Sequence, residues 1–208
     1  MVKLKGPAIS GHASGKLARA LIFSHSKKRS YTKTHAAPAN PQTGSQRSVR
    51  AAMSFLSKQW APLNTADRDT WLVLAAPDHI APYHAFVAGN QQRWKTFRTP
   101  TKTYPALELS TPPKAPRTTG VGGIKMATLD IIAEVPTPTW GYFTMRDTSD
   151  IAVPSWDLVV AMIPYFSPAS HTYWVDQLET GTYYYRTIGF NVDGVQSLRG
   201  AQWSVVIA

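Results

Sequence analysis

The sequence predicts a multidomain α+β chain: an extended basic N-terminal arm with a β-hairpin, a small three-helix unit, and a C-terminal all-β sandwich. Three observations lead there. Charge is segregated: residues 1–66 hold eleven Lys or Arg and no Asp or Glu, residues 67–117 carry a net +3, and residues 118–208 carry −4. Helical periodicity is confined to the stretch from Asn40 to about Phe97. After a proline-rich segment, short alternating runs follow one another to the C-terminus. The expected boundaries are 1–39 for the arm, 40–98 for a helical docking unit, 99–117 for a connector and 118–208 for the sandwich.

In the arm, Gly6, Pro7, Gly11 and Gly15 interrupt any helix, so the first fifteen residues are expected to run extended. Ala20 to Phe23 reads as a strand, Ser26-Lys27-Lys28-Arg29 as a polar turn, and Ser30 to Thr34 as the returning strand. A segment this basic attracts anions, either phosphate backbones or acidic protein surfaces. Its candidate contacts are Lys3, Lys5, Lys16, Arg19, Lys27, Lys28, Arg29 and Lys33, with Tyr31 near enough to stack on a base.

The first helix has Val49, Ala52, Met53, Leu56 and Trp60 along one face, Thr43 or Ser45 as cap, and Pro62 at its end. A second starts at Thr65, with Asp67 and Asp69 favoured by the helix dipole in its first turn. Its buried side is expected to be Trp71, Leu72 and Ala75, and Pro77 stops it. A third begins at Pro82 and aligns Tyr83, Phe86, Val87, Asn90 and Trp94. The predicted helical core is thus Met53, Leu56, Trp60, Trp71, Phe86 and Trp94. The connector, with five prolines between Pro100 and Pro116, is semi-rigid and anchored by Tyr104, Leu107 and Leu109.

Strands are expected over Met126 to Val135, Trp140 to Arg146, Trp156 to Met162, His171 to Val175, Gly181 to Phe190 and Ala201 to Ile207. The run from Trp174 through Leu178 and Gly181-Thr182-Tyr183-Tyr184-Tyr185, followed by Asn191, Asp193, Gly194 and Ser197, resembles the second half of a fibronectin type III domain. That resemblance implies an immunoglobulin-like sandwich from about Pro112, with Leu178 and Tyr183 in its core as turn leucine and corner tyrosine. The Trp usual in the second strand of the family is absent, and Ile132 is expected to fill its space.

The helical stretch is similar to small virion-associated proteins of phages, on Asn40, Pro41, Thr43, Gln46, Trp60, Leu63 and Trp71. This implies a non-enzymatic virion protein that is capsid-associated, a decoration protein or a minor component. The implied partners are other virion or capsid proteins in a multicopy assembly or homo-oligomer, together with nucleic acid through the arm. Two alternatives stay open: a nucleic-acid-binding protein, and a bacterial surface or carbohydrate-binding protein. The absence of an export signal at the N-terminus weighs against the latter.

Chemistry finds little footing. With no Cys, thiol nucleophiles and Cys-ligated metals are excluded. His79 and His84 are five apart across Pro82, which makes no metal-binding helix face. Gly11 to Lys16 lacks the spacing of a phosphate loop. No cofactor is expected, and no run reaches the ~18 apolar residues of a membrane span.

Overall fold

The computed structural model describes residues 43–165 and 172–208, with 172–174 as backbone. It also describes, as backbone only, strands β1 (Gly15–Leu17), β2 (Leu21–Ser26) and β3 (Arg29–Thr34). The chain divides into two compact units, Met1–Pro41 and Gln42–Ala208. In the first, β2 and β3 pair antiparallel from Leu21↔Thr34 to Ser26↔Arg29, and β1 adds to the other side of β2. The extended course expected ahead of β1, and the side chains of the arm, lie outside the described residues.

The second unit opens with α1 (Gly44–Trp60), where Thr43 Oγ1 accepts the Gln46 N–H at 3.4 Å. The expected second helix is two short ones, α2 (Thr65–Asp69) and α3 (Leu72–Ala75). Its cap is Asn64, whose Oδ1 accepts the Asp67 N–H at 2.8 Å, and not Thr65. The last helix, α4 (Pro82–Lys95), starts on its proline as expected.

The helical core needs two corrections. The buried stripe of α1 runs through Ser48, Ala52, Phe55 and Leu56, so Met53 falls off its edge and is 37% exposed. Phe55 takes the place expected for it. Leu72 is exposed as well, while Trp71 and Ala75 are buried. Leu56, Trp71, Phe86 and Trp94 are buried, and Trp60 packs half-buried against Phe86 at 5.2 Å between ring centroids. Trp94 Nε1 donates to Ser48 Oγ at 2.8 Å, which satisfies both groups inside this core.

Seven strands make the remainder: β4 (Arg117–Gly123), β5 (Met126–Ile132), β6 (Gly141–Asp147), β7 (Val159–Pro164), β8 (Thr172–Gln177), β9 (Gly181–Phe190) and β10 (Trp203–Ile207). They form two antiparallel sheets, ordered β4-β5-β8 and β10-β9-β6-β7. This three-plus-four arrangement is a fibronectin type III-like sandwich. Between the sheets lie Ala127, Leu129, Leu178, Tyr185, Val205 and Ile207, with Tyr183 packed half-buried against them. On β5 the buried positions are Ala127, Leu129 and Ile131, so Ile132 points the other way and fills no such space.

The larger core lies on the opposite face of the four-stranded sheet. Phe143 and Met145 of β6, Val159 and Met162 of β7, and Ile188 and Phe190 of β9 share one cluster with Phe55, Leu56, Trp71, Phe86 and Trp94. Phe55 meets Phe190 edge-on at 5.4 Å, and Trp94 meets Phe143 at 5.2 Å. The helices are therefore a third layer on the sandwich and not a separate docking unit. The physical reason stands in β6 itself: Tyr142-Phe143-Thr144-Met145 is buried on both faces, as in a sheet covered on both sides.

The connector is held by polar contacts and not by its leucines. Tyr104 stacks on Trp71 at 5.6 Å, but Leu107 and Leu109 are exposed. Asn90 exchanges two hydrogen bonds with Thr101, at 2.7 and 3.0 Å. Ser110 donates its N–H and its hydroxyl to Asp193, and Asn191 Nδ2 donates to Thr111 O at 3.0 Å. A proline-rich segment carries unpaired carbonyls that need such partners.

Candidate functional site

The densest arrangement of charge in the Gln42–Ala208 unit lies at one end of the sandwich, where β6, β8 and β9 meet the start of α1. Arg146 at the end of β6 and Asp176 near the end of β8 form an ion pair, with side chains 10% and 12% exposed. Tyr185 of β9 donates its hydroxyl to the same Asp176 Oδ2 at 3.0 Å. The Arg146 guanidinium also lies over the Tyr183 ring, 5.7 Å from its centroid. Strand alternation builds this group, because Tyr183 and Tyr185 share one face of β9 while Tyr184 packs against the helical core on the other.

Arg47 joins from α1. Burial, and then the charge of Arg146, hold its guanidinium below its ordinary value, with Asp176 acting in the opposite sense. Burial, followed by the charge of Asp176 and the bond to it, pushes the Tyr185 phenol upward, with Arg146 opposing. Two clefts open here and share Arg146 and Tyr183. The larger, about 710 Å³, is lined further by Ile124, Lys125, Met126 and Glu179. The smaller, about 340 Å³, is lined further by Gly44, Arg47, Asp147 and Asp157. Cations, carboxylates and one aromatic ring in open clefts suit recognition; no nucleophile stands beside a base there.

Against the sequence reading, Tyr183 is not the fully buried tyrosine with a bonded hydroxyl. Tyr185 is, because the sheet's inward register falls on it. Leu178 is buried in the sandwich core as expected. The candidate contacts Lys3, Lys5, Lys16, Arg19, Lys27, Lys28, Arg29 and Lys33 all lie outside the described side chains. Lys16, Arg29 and Lys33 are placed only by strand register, opposite Ile22, Ser26 and Ile22 respectively. Among the described residues, no group of three or more His, Cys, Asp or Glu could hold a metal ion, and no helix is long and apolar enough to cross a membrane.

Sequence reasoning missed Arg47, Arg146, Asp176 and Tyr185. The one available signal was an arginine in the first turns of a helix, unfavourable to the dipole. Pairing across β6, β8 and β9 could not be read without the fold.

No family model and no curated protein matches the chain. Solved structures similar to it include a beta-1,2-glucanase from Parabacteroides distasonis, at TM-score 0.37 and 14% identity, covering 48% of this chain and 14% of that one. The FN1-FN3 domains of chicken CNTN1 give 0.35 and 15%, over 48% and 35%. An Fn3-like protein from Clostridium thermocellum gives 0.33 and 19%, over 47% and 96%. The chain thus spans well under two thirds of the first two.

Proposed function

We propose that this chain is a structural component of a phage or virus-like particle, tethered by its basic arm and presenting the helix-backed sandwich at the surface. The observation that carries the reading is charge segregation: residues 1–41 form their own compact unit and hold eight Lys or Arg with no carboxylate. An arm of this composition repels itself and gains by binding an anionic neighbour. The acidic balance of residues 118–208 supplies one such surface in a multicopy assembly. The likeness of the helical stretch to virion-associated proteins supports the setting, and the clefts support recognition over catalysis.

The test compares the full chain with a 42–208 form, for incorporation into particles and for retardation of duplex DNA across salt concentrations. The full chain is expected to incorporate, and the truncated form to stay folded and free. Equal incorporation of both would refute the tether. A steep salt dependence of DNA binding, about −0.9 in log K per log salt for each phosphate contacted, would favour the nucleic-acid-binding reading if it appears without incorporation.

A further inference from the structure

Arg47 stands where a cation is least favoured. It lies in the opening turns of the seventeen-residue α1, whose dipole places positive charge at that end. Arg146 is its neighbour of like charge, and Asp176, which attracts it, is already engaged by Arg146 and Tyr185. Arg47 Nε is shielded from water and has no hydrogen-bond partner among the described residues. The acids of the same cleft do not pair with it: Asp147 accepts the Thr148 N–H at 2.7 Å, and Asp157 accepts the Ser155 hydroxyl. A half-buried guanidinium left in this condition destabilises the fold, and such conflicts persist where a ligand completes them.

We propose that the groove formed by the two clefts binds an extended segment of a partner protein through one carboxylate side chain, received by Arg47 with Arg146 and Tyr183 beside it. The planar, forked guanidinium suits a carboxylate, which would satisfy the orphaned N–H and offset the positive field together. Beyond Tyr183, the exposed Ile124 and Met126 offer apolar surface to a side chain next to the carboxylate. A polyphosphate is the poorer fit, since Glu179, Asp147 and Asp157 line the same groove and would repel it. The proposal does not rest on the arm or on a particle.

The probes are acetyl-Ile-Glu-Ala-amide and its Gln counterpart, titrated into the full chain while the arginine Nε–H signals are followed by NMR. The Glu peptide is expected to shift the Arg47 signal saturably, at concentrations at least about fivefold below the Gln peptide, and R47Q to abolish the difference. Equal curves for the two peptides, or a preference that survives R47Q, would overturn the proposal. So would a short oligo(dT) that shifts the Arg47 signal more tightly than the Glu peptide; binding of oligo(dT) by the arm alone would leave that signal still. R47Q is expected to melt at or above the parent temperature, because it removes an unpaired charge. A fall of several degrees would make Arg47 a structural residue and defeat the argument.

Discussion

Cutting the chain to residues 111–208 would keep every strand of the sandwich and strip away the helical layer. Phe143, Met145, Val159, Met162, Ile188 and Phe190, now buried against helices, would face water. At about 1.5–3 kcal/mol for each large apolar side chain, the loss is roughly 9–18 kcal/mol. Residual burial in the unfolded chain lowers that figure by about 10–40%. A whole domain commonly has about 5–15 kcal/mol of stability, so the excised sandwich should not hold a unique fold. Near-UV circular dichroism through a thermal ramp, with binding of a hydrophobic dye, reads the outcome against a 42–208 parent. The fragment is expected to lack a cooperative melt and to bind dye strongly. A fragment melting cooperatively within a few degrees of the parent, without dye binding, would show that the helices are an accessory. Phe143→Ala in the intact parent gives an independent reading, with an expected loss of about 3–5 kcal/mol.

Tyr185→Phe removes the hydroxyl bonded to Asp176 and should cost about 1–3 kcal/mol in denaturant melts, while Tyr183→Phe should cost under about 0.5 kcal/mol; the reverse order would place the wrong tyrosine inside. Phe55→Ala should cost about 3–5 kcal/mol and Met53→Ala under about 1 kcal/mol, and equal losses would contradict the burial stripe of α1. Asp193 is held below the ordinary carboxylate value: burial acts to raise it, and the hydrogen bonds from Ser110 and Val195 outweigh that. A depressed carboxylate contributes stability above its unfolded value, near 3.9, which is lost as pH falls through the lower folded value. Asp193→Asn should therefore flatten the stability profile below about pH 4, and an unchanged profile would remove Asp193 as a tie for the connector.

Local signals carried the helices and most strands. Thr43, Pro62 and Pro82 set helix ends through backbone chemistry that acts within a few residues, so the sequence suffices there. The family-like run from Leu178 to Ser197 worked because it encodes a turn: Gly194, at φ 93°, lets Asn191 and Asp193 reach back to the connector. What could not be read is which apolar face meets which. Three short helices and a sandwich each seem self-sufficient by periodicity, yet β6 is apolar on both faces, and that run was the available clue to a third layer. The charged cluster was hidden for the same reason, since Arg47, Arg146 and Asp176 are about a hundred residues and three elements apart.

The strand that sequence reasoning passed over, β4, has its own logic and supplies the sharpest test of the seam between the sheets. Gly120, Gly122 and Gly123 lower its strand propensity, so Arg117 to Gly123 reads as the end of a linker. The structure shows why side chains are excluded: a Cβ on Gly122 would stand 1.9 Å from the backbone oxygen of Val206 in β10. There β4 and β10 run close enough for Lys125 to donate its N–H to Ala208 O, and Ala208 its N–H to Gly123 O. A backbone oxygen cannot rotate away, so Gly122→Ala must push the two sheets apart. Overpacking of this kind costs about 1–3 kcal/mol, and the loss of seam hydrogen bonds adds to it. Gly123→Ala is the control, because its Cβ would meet only the flexible Met126 side chain at 3.3 Å. It should stay within about 0.5 kcal/mol of the parent in a denaturant melt. If both glycines tolerate alanine equally, the close approach of β4 to β10 is not what selects glycine, and the seam does not hold the sheets together.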